Sequence, residues 1–447
     1  MSASSATVSP ARSIAFDHLQ RLAHDDAYIE HLSVDHDDPR VRRQTRDLVA
    51  GVTRWQRWLD FLLADTYHGD YDSMELRLQQ VLRLGLYELL FQETPAHAAV
   101  HEYVELAKQR VRPGAAGLVN GMLRTLDRSR DALPSPDTGD RANDLGIRYS
   151  HPTWMVRRWL DRYRLGATRA LLAYNNKRPS FGLRINPLRT TIDDVAEWLR
   201  AQSIGFTLSP YVDDVIRVES LQPILQAGWL DEGLVAVQDE SAALVVRAVD
   251  PQPGESIIDV CAAPGGKTIA LATRMQGTGH LRAFDVHAGR LRRVDAAATT
   301  YGVDDMIETE AADLRDVARR PSPPTADRVL LDAPCSGLGV LSKRADLRWQ
   351  RTTDDLSDLI TLQDELLDAA ARLVRPGGHL IYSTCTIAPE ENAERIEAFV
   401  QRHPGFRRVH ASGIPASLRS DDGDLATLPH RDDIDGAYAA CLQAPDE

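Results

Sequence analysis

Apolar positions follow two different rhythms along this chain, and the change falls near Gly233. Over the first 130 residues they recur at helical steps. Leu48, Val52, Trp55, Leu59 and Leu62 lie three or four apart and share one stripe. Thr94-Pro95 reads as an N-cap followed by a first-turn proline, opening a helix that turns Val100, Val104 and Ala107 inward. Residues 114–126 read as one more helix, and strand-like alternation is absent, so residues 12–130 are predicted to form an all-α bundle. Residues 129–150 are polar and rich in Pro, Gly and Asp, the composition of a linker or loop. Residues 150–232 then carry amphipathic helices over 152–163, 168–174 and 192–202 and strand-like runs over 183–186 and 215–218, a small α+β module.

From residue 233 to 445 short apolar strands (256–260, 281–286, 328–332, 379–383) alternate with helical stretches (268–275, 289–301, 354–374, 390–403). That alternation predicts a doubly wound α/β domain with a mostly parallel sheet, which makes the chain multidomain. Ligands in such folds sit at the carboxyl ends of the strands. Cys261, Asp285, Asp313, Asp332, Cys335 and Cys385 all fall at those ends.

Length and composition change this picture little. A chain of 447 residues exceeds one core. No apolar run approaches the roughly 18 residues a membrane span needs. The segment MSASSATVSPAR lacks a hydrophobic signal core and reads as a short flexible leader, so a cytoplasmic location is expected. None of the four cysteines, Cys261, Cys335, Cys385 and Cys441, lies in a CxxC pair, which disfavours a zinc knuckle or a disulfide framework and fits a reducing compartment. Charge adds more. The net charge is −13, yet residues 151–200 hold ten Lys and Arg against four Asp and Glu, whereas residues 1–150 hold 18 against 22. A locally basic segment suits phosphate contact and equally suits a solvated face.

Three constellations carry chemistry. In IIDVCAAPGGKT (257–268) an apolar strand runs into small residues and two glycines before a helix begins. Small side chains let a ligand approach the backbone, and the helix start offers free N–H groups, although a tight structural turn has the same shape. The run is neither GxGxxG nor a correctly spaced P-loop, which disfavours nucleotide hydrolysis. Asp285 lies 18 residues past Lys267, where an acid can accept both ribose hydroxyls of an adenosine-type ligand. Alone it would be read as a helix N-cap. Asp313, in EAADLRD, is a third contact, toward an adenine edge. The last constellation is a pair of cysteines. Cys335 shares the loop DAPCSG with Asp332, and Cys385 lies in STCT just before Pro389-Glu390-Glu391, which reads as a helix start. A thiol near a helix N-terminus has its thiolate favoured. Cys441 reads as a small buried hydrophobe.

CAAPGGK, DAPCSG and STCT, in this order and with QDESA (238–242) upstream, resemble the S-adenosylmethionine-dependent RNA cytosine-5 methyltransferases of the Nop/Sun family. LRLGLYELL, PAHAAVHEYVELAK and LVNGMLR are similar to the NusB-like domain fused to its Sun branch, which acts on 16S ribosomal RNA, so the resemblance spans residues 12–442. It implies an all-α NusB-like RNA-binding domain (12–130), a small α+β RNA-facing module (150–232) and a Rossmann-like class I methyltransferase domain (233–445). It also implies S-adenosylmethionine held by Cys261, Ala262, Ala263, Pro264, Gly265, Gly266, Lys267, Asp285, Asp313 and Asp332. The expected partner is RNA, 16S ribosomal RNA first, with no membrane and no metal, and the chain is expected to act as a monomer.

By the same resemblance Cys385 is the nucleophile toward carbon 6 of cytosine. Cys335 helps remove the carbon 5 proton and release product, Asp332 serves ring nitrogen 3, and Lys267 closes the glycine turn. A base must leave its stack to reach such a pocket, so single-stranded or looped RNA is the expected substrate form. Arg157, Arg158, Arg162, Lys177 and Arg178 are the candidates for backbone contact, with Asn175, Asn176 and Arg184 resembling the family's RNA-facing module. The chain departs from the family at Ala437, where an aromatic is expected, and in the acidic tail from Ser420. A binding protein that has lost methylation, and a transfer RNA methyltransferase, are the competing readings.

Overall fold

A computed structural model describes residues 8–24, 28–29, 32–411 and 413–447; most of the leader read from the sequence lies outside them. The chain divides into two compact units, Met1–Asn176 with Arg344–Gln350, and Lys177–Lys343 with Arg351–Glu447.

The first unit is helical: α1 (Pro10–His24), α2 (Pro39–Thr66), α3 (Leu76–Phe91), α4 (Ala96–Arg110), α5 (Ala115–Arg128), α6 (Arg141–Arg148) and α7 (Thr153–Asn175). Asp38 caps α2 by accepting from the Arg40 N–H, and Pro39 fills the first turn. Leu48, Val52, Leu59 and Leu62 of the predicted stripe are buried, while Trp55 is half-buried and stacks on Phe91 at 4.7 Å. Inside the bundle the Glu88 carboxylate, fully buried, accepts from Arg12 Nε at 3.0 Å and from Tyr103 Oη at 2.6 Å, so its charge is matched by a guanidinium. The predicted linker at 129–150 is corrected: it holds a 3-10 turn, Arg130–Ala132, and α6, which Asp140 caps. Eight residues give too few turns for a period to show through a polar composition. The two helices expected over 152–174 are one element broken at Arg164, whose φ is 61°.

The second unit holds two sheets. The smaller, in the order β2-β3-β1-β4, is antiparallel and consists of β1 (Phe181–Ile185), β2 (Phe206–Leu208), β3 (Val215–Val218) and β4 (Val235–Val237). Its helices are α8 (Ile192–Ala201) and α9 (Gln222–Gln226), and α10 (Glu240–Val249) follows β4. Thr191 and Asp194 form a reciprocal capping box at the start of α8.

The larger sheet contains β5 (Ser256–Val260), β6 (His280–Asp285), β7 (Ile307–Ala311), β8 (Ala326–Asp332), β9 (Val374–Thr384), β10 (Arg407–Val409), β11 (Leu425–Ala426) and β12 (Tyr438–Gln443). Its order is β10-β12-β9-β8-β5-β6-β7, with β11 beside β12. Strands β9, β8, β5, β6 and β7 are mutually parallel, and β12 adds an antiparallel edge against β9. The helices are α11 (Gly266–Arg274), α12 (Ala288–Tyr301), α13 (Leu314–Val317), α14 (Leu347–Gln350, in the segment that groups with the first unit), α15 (Thr353–Ala371), α16 (Ala393–Arg402) and α17 (Pro429–Asp432). Chain order reverses between β5 and β8, so the crevice at their carboxyl ends is the topological switch point where such sheets bind ligands.

Candidate active site

Two strand ends build the first half of the site. After β5 the backbone turns through Cys261 (φ 61°) and Gly265 (φ 104°), which caps α11. A side chain at Gly265 would meet Val294 within 3.1–3.3 Å and strain the left-handed backbone, so glycine is required there. At the end of β6 the Asp285 carboxylate accepts from the Ala263 N–H at 3.1 Å and from the His287 N–H at 2.8 Å. It therefore locks the turn to the neighbouring strand, and each oxygen retains accepting capacity for a ligand hydroxyl. Small residues, a helix N-terminus and an acid on the adjacent strand fit an adenosine-type group. Burial, reinforced by Asp285, pushes the Cys261 thiol well above the ordinary cysteine range, so Cys261 lines the turn as a neutral thiol.

Asp313 is placed differently. It caps α13, and its carboxylate is clasped by Arg315, with Nη2 at 2.6 Å, a hydrogen bond that holds it below the usual carboxylate range. A cavity of about 610 Å³ opens beside it, lined by Arg315, Glu365 and His403 among others, and none of the cysteines lines it.

The other half of the site lies at the ends of β8 and β9. Asp332 pairs in register with Ser383, accepts from Ser383 Oγ at 2.8 Å and from Lys267 Nζ at 2.6 Å, so the lysine of the glycine turn bridges the switch point. Burial opposes the Lys267 charge, and the adjacent Asp332 carboxylate more than offsets this, leaving its pKa above the ordinary value. Just beyond, Cys335 Sγ and Cys385 Sγ lie 3.4 Å apart. The hydrogen bond between them acts in opposite directions, lowering the Cys385 pKa and raising that of Cys335 well above normal, which favours the thiolate at Cys385 over that at Cys335. Lys267 adds to the lowering at Cys385, while partial desolvation of the sulfur, Asp332 and Asp435 oppose it. Cys385 is exposed, Cys335 half-buried, and Cys441 is buried in β12, where burial pushes its thiol up to about 12.

The helix start expected after Cys385 is corrected. Pro389–Glu391 is a 3-10 turn, and α16 begins only at Ala393, so the thiolate is favoured by Cys335 and Lys267 rather than by a helix terminus. The sequence reading also missed a buried cluster behind the cysteines, Gln363, Glu391 and Asn392, and a charged one beside them. In the latter Lys343 bridges Asp239 and Asp435, with Nζ 2.8 Å from Asp435, and burial together with Asp239 pushes Asp435 up to about 7. Several acids of the tail are internal: Asp424, Asp432 and Asp435 are buried, as is Ala437 just before β12.

The RNA-facing candidates separate. Arg157, Arg162, Lys177 and Arg178 are exposed, with Arg157 2.9 Å from Asp140 and Lys177 3.0 Å from Asp433. Arg184, by contrast, is buried on the inner strand β1 and donates to Gln238 Oε1 at 2.6 Å and Thr273 Oγ1 at 3.3 Å. Asn175 is buried too, and Asn176 donates to the Tyr149 carbonyl at 2.7 Å. These three residues, which resemble the family's RNA-facing module, make their hydrogen bonds within their own units. Among the described residues no helix is long and apolar enough to cross a membrane.

Comparison with known proteins gives a consistent result. A family model described as 16S rRNA methyltransferase RsmB/F matches residues 246–443, a NusB family model matches residues 9–128, and a RsmF/B-like ferredoxin-like domain matches residues 151–225. A Synechocystis sp. protein named "Probable ribosomal RNA small subunit methyltransferase B" is 36% identical, covering 97% of this chain and 99% of its own length. The Pseudomonas putida "Ribosomal RNA small subunit methyltransferase B" is 35% identical over 91% of each chain. The crystal structure of PH0851 superposes with a TM-score of 0.79 at 26% identity, covering 98% of this chain and 99% of that one.

Proposed function

The chain belongs to the 16S rRNA methyltransferase RsmB/F family, and on that premise we propose that it methylates carbon 5 of a cytosine in 16S ribosomal RNA, with Cys385 as covalent nucleophile. The observation that carries the reading is the 3.4 Å contact between Cys335 and Cys385, with its opposed effects on the two thiols. S-adenosylmethionine, when bound, supplies an electrophilic methyl group. The turn Cys261–Lys267 with Asp285, Asp313 and Asp332 is the set of residues assigned to hold it.

Carbon 5 of cytosine is a weak nucleophile. Addition of the Cys385 thiolate to carbon 6 moves the ring's 5,6 π electrons toward carbon 5, which then accepts the methyl group. Asp332, steadied by Lys267 and Ser383, is assigned to the ring nitrogen 3 edge, where its carboxylate accepts a hydrogen bond from nitrogen 3 as that nitrogen takes a proton from solvent and the ring stays neutral. Once Cys385 is bonded to carbon, its hydrogen bond and charge no longer hold Cys335 protonated. Cys335 can then release its proton to solvent and, as the thiolate, take the carbon 5 proton. The electrons released restore the 5,6 double bond and expel Cys385. Exposed Arg157, Arg162, Lys177 and Arg178 are assigned to phosphate contact, each one adding to the salt dependence of RNA binding.

Trapping tests the assignment. Cys335→Ala accumulates a covalent RNA adduct visible as a slow band in a denaturing gel, and Cys385→Ala neither methylates nor traps. If Cys385→Ala traps instead, the two roles are exchanged. Bisulfite mapping of 16S ribosomal RNA from a deletion strain shows one protected cytosine lost, and an unchanged pattern removes the substrate assignment.

A further inference from the structure

The neighbours of both cysteines are held by one buried cluster, and Glu391 is its centre. Pro334 and Ser336 flank Cys335, while Thr384 and Thr386 flank Cys385. Glu391, fully buried, accepts from the Ser336 N–H at 2.8 Å, from Ser336 Oγ, and from Gln363 Nε2 at 3.1 Å. The same Gln363 amide donates to the Pro334 carbonyl at 2.9 Å. Because the Ser336 hydroxyl proton goes to Glu391, Thr386 Oγ1 donates to Ser336 Oγ, at 2.8 Å, joining one cysteine loop to the other. On the β9 side Asn392 accepts from Thr384 Oγ1 at 2.6 Å and donates to the Thr386 carbonyl at 3.0 Å, and Tyr382 Oη donates to the Glu391 carbonyl at 2.7 Å.

We propose that Glu391 is a positioning residue for the reaction: its buried carboxylate fixes the Cys335 loop against the Cys385 loop at the separation where the two thiols hydrogen-bond. This rests on the reading of Cys385 as nucleophile. A buried carboxylate with three donors is costly to place unless every donor is aimed at it, so the donors and the loops that carry them are pinned as a unit. Releasing Ser336 lets the Cys335 loop drift. The Cys335–Cys385 hydrogen bond then weakens, and Cys385 is left to Lys267, Asp332 and Asp435, of which only Lys267 favours the thiolate. The sequence offered no sign of this, since an acid after a proline reads as a solvated helix start.

The test compares full-length wild type, Glu391→Gln, Ser336→Ala and the double variant. Cys385 alkylation by iodoacetamide is followed against pH by peptide mass spectrometry, and methyl transfer from labelled S-adenosylmethionine to a 16S ribosomal RNA transcript is followed in parallel. Glu391→Gln is nearly isosteric and keeps one acceptor. In the folded variant, checked by its melting transition and by unchanged cofactor affinity in calorimetry, the alkylation midpoint rises toward that of an ordinary cysteine. The turnover rate falls by on the order of a hundredfold with the RNA KM unchanged, as expected for an ångström-scale misplacement of reacting groups. Ser336→Ala does the same, and the double variant is no worse than either single one, because one link is cut twice. A wild-type alkylation profile in folded Glu391→Gln, or additive losses in the double variant, overturns the positioning role; if Glu391→Gln does not fold, the profile of Ser336→Ala decides alone. Methylation by Cys385→Ala would overturn the nucleophile reading instead and leave the alkylation result standing.

Discussion

The glycine turn after β5 and the thiol pair at the ends of β8 and β9 sit on neighbouring strands of one sheet, yet they are held by different kinds of structure. The turn is local. Residues 261–267 take their shape from the left-handed Cys261 and Gly265 and from the start of α11, with Asp285 as the tie from the adjacent strand. The thiol pair is assembled from distant pieces: the loop after β8, Gln363 on α15, and the segment from Thr384 to Asn392. A local turn can bind a ligand without reference to the thiols, whereas the thiol pair exists only when three segments agree. Damage to the first should therefore read out in cofactor affinity and damage to the second in thiol ionisation and turnover.

The largest separation is expected at Asp285. Asp285→Ala removes a carboxylate whose hydrogen bonds to the turn, and the one proposed to a ribose, fall in the range of about 1.5–3 kcal/mol for charged partners. S-adenosylmethionine binding should weaken by roughly ten- to a hundredfold in calorimetry, while the pH midpoint for Cys385 alkylation stays where wild type has it. A midpoint that moves with Asp285 would mean the two halves are not independent. The expected cofactor loss also has a floor, since Lys267 and the α11 N-terminus remain in place.

Lys267 belongs to both halves, which makes it the sharper probe. It leaves the turn, reaches Asp332 across the switch point, and helps lower the Cys385 pKa. Lys267→Met keeps the aliphatic stem and deletes the charge, leaving only the Cys335 hydrogen bond to favour the thiolate against Asp332. The Cys385 midpoint should rise, so the thiolate fraction at neutral pH, and the single-turnover methylation rate with it, drop by on the order of tenfold. Raising the assay pH should recover most of that rate. A loss that persists at high pH would assign Lys267 to the cofactor alone.

How much of this was legible in the sequence follows the same division. The parallel strands, the glycine turn, Asp285, Asp332 and both cysteines could be read because each lies within a contiguous run whose period or small-residue content has a physical meaning. The helical stripe of α2 was readable for the same reason. Glu391 was not, because what makes it internal is Ser336 and Gln363, 55 and 28 residues away. The burial of Arg184 was not legible for the complementary reason: nothing local marks an arginine on a strand as internal, and only the Gln238 and Thr273 partners across the unit allow it to be buried. The antiparallel edge β10–β12, and with it the burial of Asp424 and Asp435 in an acidic tail, likewise depends on pairing with β9 that no local pattern encodes.

The smallest effect on activity, and the one that separates the scaffold under the turn from its chemistry, is expected at Asp259 on β5. Its carboxyl is buried: Oδ2 accepts from Thr268 Oγ1 at 2.6 Å, and Oδ1 has no hydrogen-bond partner among the described residues. Burial, which the Thr268 hydrogen bond only partly offsets, pushes its pKa up to about 7. An unfolded aspartate titrates near 3.9. Below about pH 4 the group is protonated in both states and imposes no penalty. As pH rises from there the unfolded chain releases the proton first, so stability is lost progressively until the folded carboxyl ionises near pH 7, beyond which the loss is complete. Asp259→Asn keeps the acceptor for Thr268 and cannot ionise. Whatever constant cost its amide incurs, the urea midpoint of the variant relative to wild type should climb between pH 5 and pH 7 and level off above that. The total gain should be at most a few kcal/mol, because each pKa unit is worth about 1.4 kcal/mol. Asp435 titrates in the same window in both proteins and cancels from the difference. A difference that stays flat from pH 5 to pH 8 would mean that Asp259 is ionised in the folded protein throughout, and that a charge under the glycine turn is tolerated by partners other than Thr268.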